Sequence, residues 1–129
     1  MASELRVNTL KDASGNNSIA TSFVAGGSAK MWADVDMTGT ATLDDSFNVT
    51  GITDNGTGDV TVTIASDMGN ATYACSSMCG ALNSFDDECM AHIISRAAGT
   101  ARFGITDVHN AADALDVDPC MFIIHGDLA

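Results

Sequence analysis

The run Val60-Thr61-Val62-Thr63-Ile64 alternates apolar and polar residues. A period of two is the mark of a strand with one face buried and one face wet. Just before it, Asp54-Asn55-Gly56-Thr57-Gly58-Asp59 is rich in residues that accept positive φ, as a hairpin connection requires. Further upstream, Ser46-Phe47-Asn48-Val49 alternates with Phe47 and Val49 on one face. Gly51 interrupts that period, and a β-bulge there would return Ile52 to the same face. A hairpin alone is marginal in water and needs further strands to cover its apolar face.

Further strands are legible on both sides. Ser3 to Leu10 and Ser18 to Val24 read as strands around a turn at Ala13-Ser14-Gly15-Asn16-Asn17, and Ala25-Gly26-Gly27-Ser28 reads as a flexible break. Met31 to Asp36 is a strand, followed by a turn at Met37-Thr38-Gly39. Thr40 to Leu43 is a short strand, and Asp44-Asp45 turns. A turn at Asp67-Met68-Gly69-Asn70 leads into a strand over Thr72 to Met78, with Tyr73 and Cys75 on one face. Asn83 to Glu88 is an acidic loop, and Cys89 to Arg96 is placed as a strand by its position in a meander. Ala101 to Thr106 alternates as a strand, Asp107 to Leu115 is a helical turn or a loop, and Cys120 to Gly126 is a final apolar strand. The expected fold is all-β: an antiparallel, jelly-roll-like β-sandwich over residues 29–129, with residues 1–28 as an extended N-terminal attachment arm. The arm has too few apolar residues to bury a core alone, so it should add to a neighbour or to a lattice.

The 129 residues suffice for one core but not for two ordinary domains. No apolar run approaches the roughly 20 residues of a membrane span. The start, MASELRVNTLKD, lacks the apolar stretch of a secretory leader, which predicts a protein made and left in a cytoplasm or released by lysis. The net charge is −12, and the five basic residues, Arg6, Lys11, Lys30, Arg96 and Arg102, are scattered. Nucleic acid and anionic membranes should both repel such a chain.

The residues with chemistry do not group into a site. Cys75 and Cys79 have C-x3-C spacing, but Cys89 and Cys120 stand apart, so small buried hydrophobes are expected in preference to a zinc site or a disulfide framework. His92, His109 and His125 have no nucleophile in a G-x-S-x-G setting. Asp86-Asp87-Glu88, with Asp34, Asp36 or Asp44-Asp45, lacks EF-hand spacing, and Gly26-Gly27 and Gly56-Thr57-Gly58 lack a following helix and lysine. A sugar-cleaving carboxylate pair would need an aromatic cleft, and beyond the phenylalanines only Trp32 and Tyr73 are available. No catalytic residue, metal ligand or cofactor is expected. The residues singled out are Leu5, Val7, Ile19 and Phe23, apolar side chains of the arm and candidates for an interface.

Two stretches resemble a known family. Glu4 to Asn16 is similar to the "V-[ND]-T-[LI]-x-D-x-[AS]-G" opening of small tail-fibre and appendage proteins of marine tailed phages. Asp45 to Val62 resembles their "SFNVSSITDNGTGDYTV" segment, with Thr50-Gly51 in place of the serine pair and Val60 in place of an aromatic residue. Asp67 to Tyr73 is similar to the "M-x-x-A-x-Y" continuation, and the chain from Cys75 onward carries no resemblance. The resemblance implies a non-enzymatic virion component, homotrimeric and attached through its N-terminal part. Its partners would be the tail or the major capsid protein, with a host-surface glycan as a possible distal contact at Leu82 to Glu88 and Asp107 to Leu115. The alternatives are a capsid-decoration protein that cements the shell and a free-standing carbohydrate-binding module.

Overall fold

The computed structural model describes residues 3, 5–80, 88–109 and 113–129. Its elements, in order, are β1 (Thr9–Lys11), β2 (Ser18–Ala20), α1 (Thr21–Gly27), β3 (Ala29–Asp36), β4 (Thr42–Phe47), β5 (Val49–Gly56), β6 (Asp59–Ile64), β7 (Ala74–Cys79), β8 (Cys89–Ala97), β9 (Thr100–Asp107) and β10 (Cys120–His125). The last eight strands form two antiparallel four-stranded sheets, ordered β4-β3-β10-β7 and β5-β6-β9-β8. The protein is an all-β sandwich, as the alternation at Val60 to Ile64 predicts. Its first and last sandwich strands, β3 and β10, lie side by side.

The core follows from parity. Val60, Val62 and Ile64 are buried on β6, and Ala101, Phe103 and Ile105 on its neighbour β9. Met31, Ala33 and Val35 on β3 face them from the other sheet, with Cys120, Phe122 and Ile124 on β10. Burying a side chain of this size is worth about 1.5–3 kcal/mol. Among the described residues no polar or charged residue is fully buried, so the interior between the two sheets is apolar, and at their β7 and β8 edges Ser77 Oγ donates to Ala91 O at 3.1 Å.

The bulge expected near Gly51 is present. The register of β5 on β6 shifts between Val49 and Gly51 and sets Ile52 opposite Val62. The hairpin turn is tighter than Asp54–Asp59, because a second shift between Asp54 and Gly56 lets β5 run on to Gly56. Only Thr57 and Gly58 remain outside the strands, and the φ of Gly58 is +64°.

Several local expectations are corrected. Ser3 to Leu10 is not a strand throughout; pairing begins at Thr9, opposite Ala20. Ser18 to Val24 divides at Ala20, and Phe23 and Val24 belong to α1, which also absorbs Gly26 and Gly27. So short a run satisfies either period, and the local hydrogen bonds decide: Thr21 N donates to Asn8 O at 3.0 Å, and Ser28 N closes the helix on Val24 O at 3.1 Å. Asp44-Asp45 does not turn. β4 runs through both, with Asp45 opposite Asp34 and Leu43 opposite Val35, so Asp44 is the extra residue of a bulge. A bulge absorbs an acidic pair without ending the strand. Ser46 to Val49 is not one strand either. Asn48, at φ +58°, turns the chain from one sheet to the other, so Phe47 is exposed while Val49 packs against the core. Asn tolerates this left-handed conformation better than most residues. Of the two loops expected to be distal, 82–87 and 110–112 lie outside the described residues.

Candidate interaction surface

The two sheets have a common polarity. Ala29, at the start of β3, pairs with His125 at the end of β10, which in turn pairs with Ala74 at the start of β7. The Asn48 corner and the end of β6 lie at this same end, since Val49 pairs with Ile64. The arm therefore joins the sandwich here. At the opposite end Cys89 pairs with Asp107, and Cys120 with Cys79. From that end the chain leaves into 80–88 and 108–119.

The arm, residues 1–28, has no buried residue among those described. Leu5 and Val7 precede β1, Ile19 is the centre of β2 opposite Leu10, and Phe23 lies in α1. Their exposures are 80, 39, 45 and 72%. The structure thus places all four predicted interface residues on the outside and brings Ile19 beside Leu10, not beside the other three. The hairpin tip is held by Asp12, which accepts from Asn16 N at 2.9 Å and Asn17 Nδ2 at 2.7 Å. The backbone hydrogen bond from Asn16 is the main cause that keeps the Asp12 carboxyl below the ordinary carboxylate range. Gly15, at φ +71°, makes that tight turn possible.

The Lys30 ammonium closes the junction. It donates to the carbonyls of Ala25 and Ser28 and to Ser28 Oγ, placing a positive charge at the carbonyl end of α1. Asn48 clasps the same region: its Nδ2 donates to Lys30 O at 2.9 Å, and its Oδ1 accepts from Ser66 N at 2.7 Å. Between these groups lies an open cavity of about 530 Å³, bordered by Ala25, Lys30, Phe47, Asn48 and Leu128.

Phe47 continues this border onto the outer face of the β4-β3-β10-β7 sheet. It is the direct partner of Trp32, and Trp32 is the partner of Ile123. The next row outward is Asp45, Asp34, Met121 and Met78. Phe47 is 55% exposed, Met78 62% and Ile123 39%. Trp32, Met121 and Ile123 border a shallow depression of about 230 Å³, beside which Asp34 Oδ1 is buried without a hydrogen bond. An exposed apolar row with a polar rim is the composition of a binding face. Sequence reasoning missed it because Met31-Trp32 and Met121-Phe122-Ile123-Ile124 are apolar on both parities. The only available signal was the register of Trp32 against the buried Ala33 and Val35.

The three histidines stay dispersed. His92 lies against Gly104, its cross-strand partner, with Nδ1 buried and unbonded. His109 is 3.8 Å from both Glu88 and Asp107, and His125 is at the other end of the molecule. Among the described residues, no three His, Cys, Asp or Glu side chains converge as metal ligands. Asp36 and Asp44 do act on Asp118, whose carboxyl is raised first by desolvation and then by the charges of Asp36, Asp44 and Asp34. On the outer face of the second sheet, Arg102 pairs with Asp59, which also accepts from Asn55 Nδ2 at 3.2 Å.

No family model, curated protein or solved structure matches this chain.

Proposed function

We propose that the protein is a non-enzymatic structural component of a bacteriophage virion, a homotrimeric tail-fibre or appendage module attached to the particle by its N-terminal arm. The observation that carries this reading is polarity. An arm with exposed apolar side chains, Leu5, Val7, Ile19 and Phe23 among them, leaves one end of a fully cored sandwich, and the longest connection, 108–119, leaves the other. Such an arm gains by burying Leu5, Val7, Ile19 and Phe23 against a partner, whether the tail or the major capsid protein. The far end is then free to meet a host surface, with glycans as the natural ligands of loops there. The open edges of β4, β5, β7 and β8 favour an oligomer in which copies cover one another.

Deletion of residues 1–28 tests the anchor. The truncated chain should remain soluble and folded but be missing from purified particles; normal incorporation would reject the placement. Copy number by quantitative mass spectrometry separates appendage from capsid decoration. A count that follows the major capsid protein would favour a cement protein, and a small count tied to tail symmetry an appendage.

A further inference from the structure

Three of the four cysteines meet at the end of the sandwich away from the arm. Cys79 ends β7, Cys89 begins β8 and Cys120 begins β10. Cys79 and Cys120 are direct cross-strand partners. Gly80 N donates to Pro119 O in the adjoining pair, so by the alternation of an antiparallel ladder Cys79 and Cys120 form the narrow, non-hydrogen-bonded pair. β7 and β8 also meet here: Ser77 Oγ, two residues before Cys79, donates at 3.1 Å to the carbonyl of Ala91, two residues after Cys89, and both cysteines pack against the core. The sulfurs differ in access: Cys79 and Cys89 are half-buried, whereas Cys120 is fully buried with its thiol directed at Val117 O, 3.5 Å away.

The position of this contact in the fold gives it meaning. β7 is an edge of one sheet and β8 an edge of the other. At the opposite pair of edges, β4 passes into β5 through the single residue Asn48. At the β7 and β8 edges no such short connection exists.

We propose that Cys79 and Cys89 are a disulfide-forming pair that staples the open edges of the two sheets once the protein meets an oxidising medium. The oxidant is a low-molecular-weight disulfide such as oxidised glutathione. The Cys79 thiolate attacks one of its sulfurs, forms a mixed disulfide and releases one small thiolate. The Cys89 thiolate then displaces the second. Two thiol protons leave, the pair gives up two electrons, and the small disulfide becomes two thiols. Burial, the largest effect, raises the Cys79 thiol above its ordinary range, so the reaction is slow at neutral pH and quickens with alkali.

The test uses the full chain, incubated with oxidised glutathione or with a reductant. Peptide mapping should find one cross-link joining Cys79 to Cys89 and an intact mass lower by two hydrogen atoms. The initial rate should rise roughly tenfold per pH unit between neutral and mildly alkaline pH. Closing a ring of about ten residues should raise Tm by about 10 °C. Cys120→Ser should keep the cross-link, and Cys89→Ser should replace it with a glutathione adduct. A Cys79–Cys120 bond, or free thiols after prolonged oxidation, would overturn the assignment. If either serine variant is unfolded, the peptide map of the unaltered chain decides alone.

Discussion

The rings of Phe103 and Phe122 stack across the sandwich, one from each sheet, with centroids 4.1 Å apart and planes at 13°. Both are fully buried. Phe103→Ala or Phe122→Ala should cost about 3–5 kcal/mol in urea unfolding. The double variant should lose less than the two single losses combined, because each single change already removes the stack.

Substitution at Gly58 and at Gly104 should differ in cost. At Gly58, with φ +64°, an added Cβ would press on the Ile105 carbonyl and lie 2.8 Å from Leu115 N, both backbone atoms. At Gly104 it would meet the side chain of His92, with Nε2 at 2.6 Å. Gly58→Ala should therefore destabilise by about 2 kcal/mol or more, and Gly104→Ala by clearly less. Equal midpoints in denaturant titrations would show that the turn tolerates the change.

Asp59 and Asp118 should respond to pH with opposite signs. The Arg102 hydrogen bond is the main cause that lowers the Asp59 carboxyl from 3.8. A depressed folded value adds stability above the unfolded value, and this is lost as pH falls through the folded one. Arg102 is 42% exposed, so solvent screening keeps the contribution of the pair small. Asp59→Asn should remove that increment at neutral pH and flatten the acid limb of a stability profile.

For Asp118 the folded value is raised, first by desolvation and then by its acidic neighbours. The folded state then gains relative stability below the unfolded value and loses it as pH rises through the folded one. Asp118→Asn should raise Tm at neutral pH, and the gain should vanish in acid. A neutral-pH Tm equal to or below that of the parent chain would contradict this.

Leu5, Val7, Ile19 and Phe23 should matter to attachment, not to folding. Each is exposed, so serine at any of them should change stability by less than about 0.5 kcal/mol. The same changes should reduce the protein's recovery in purified particles.

The sandwich was legible wherever one parity is polar. Val60 to Ile64 disclosed its orientation because Thr61 and Thr63 alternate with the buried residues. The outer face around Trp32 was hidden because Met31, Met121 and Ile123 mimic a strand buried on both sides. The Asn48 corner was hidden for a related reason: Ser46 to Val49 keeps its alternation through a change of sheet, and a pattern of side chains does not record a backbone reversal. The cluster of Cys79, Cys89 and Cys120 depends on pairings between distant parts of the chain, which no local spacing encodes.

The neighbouring positions of β3 and β10 also determine how the molecule bears load. Ala29 and His125 are register partners, so the arm and the C-terminal segment leave from the same end. Tension between those two points would peel β3 from β10, opening one hydrogen bond after another. Tension between the arm and the far loops would instead run along the strands and shear whole ladders at once. A particle held by the arm and gripping a surface with the opposite end would pull this module along its stronger axis.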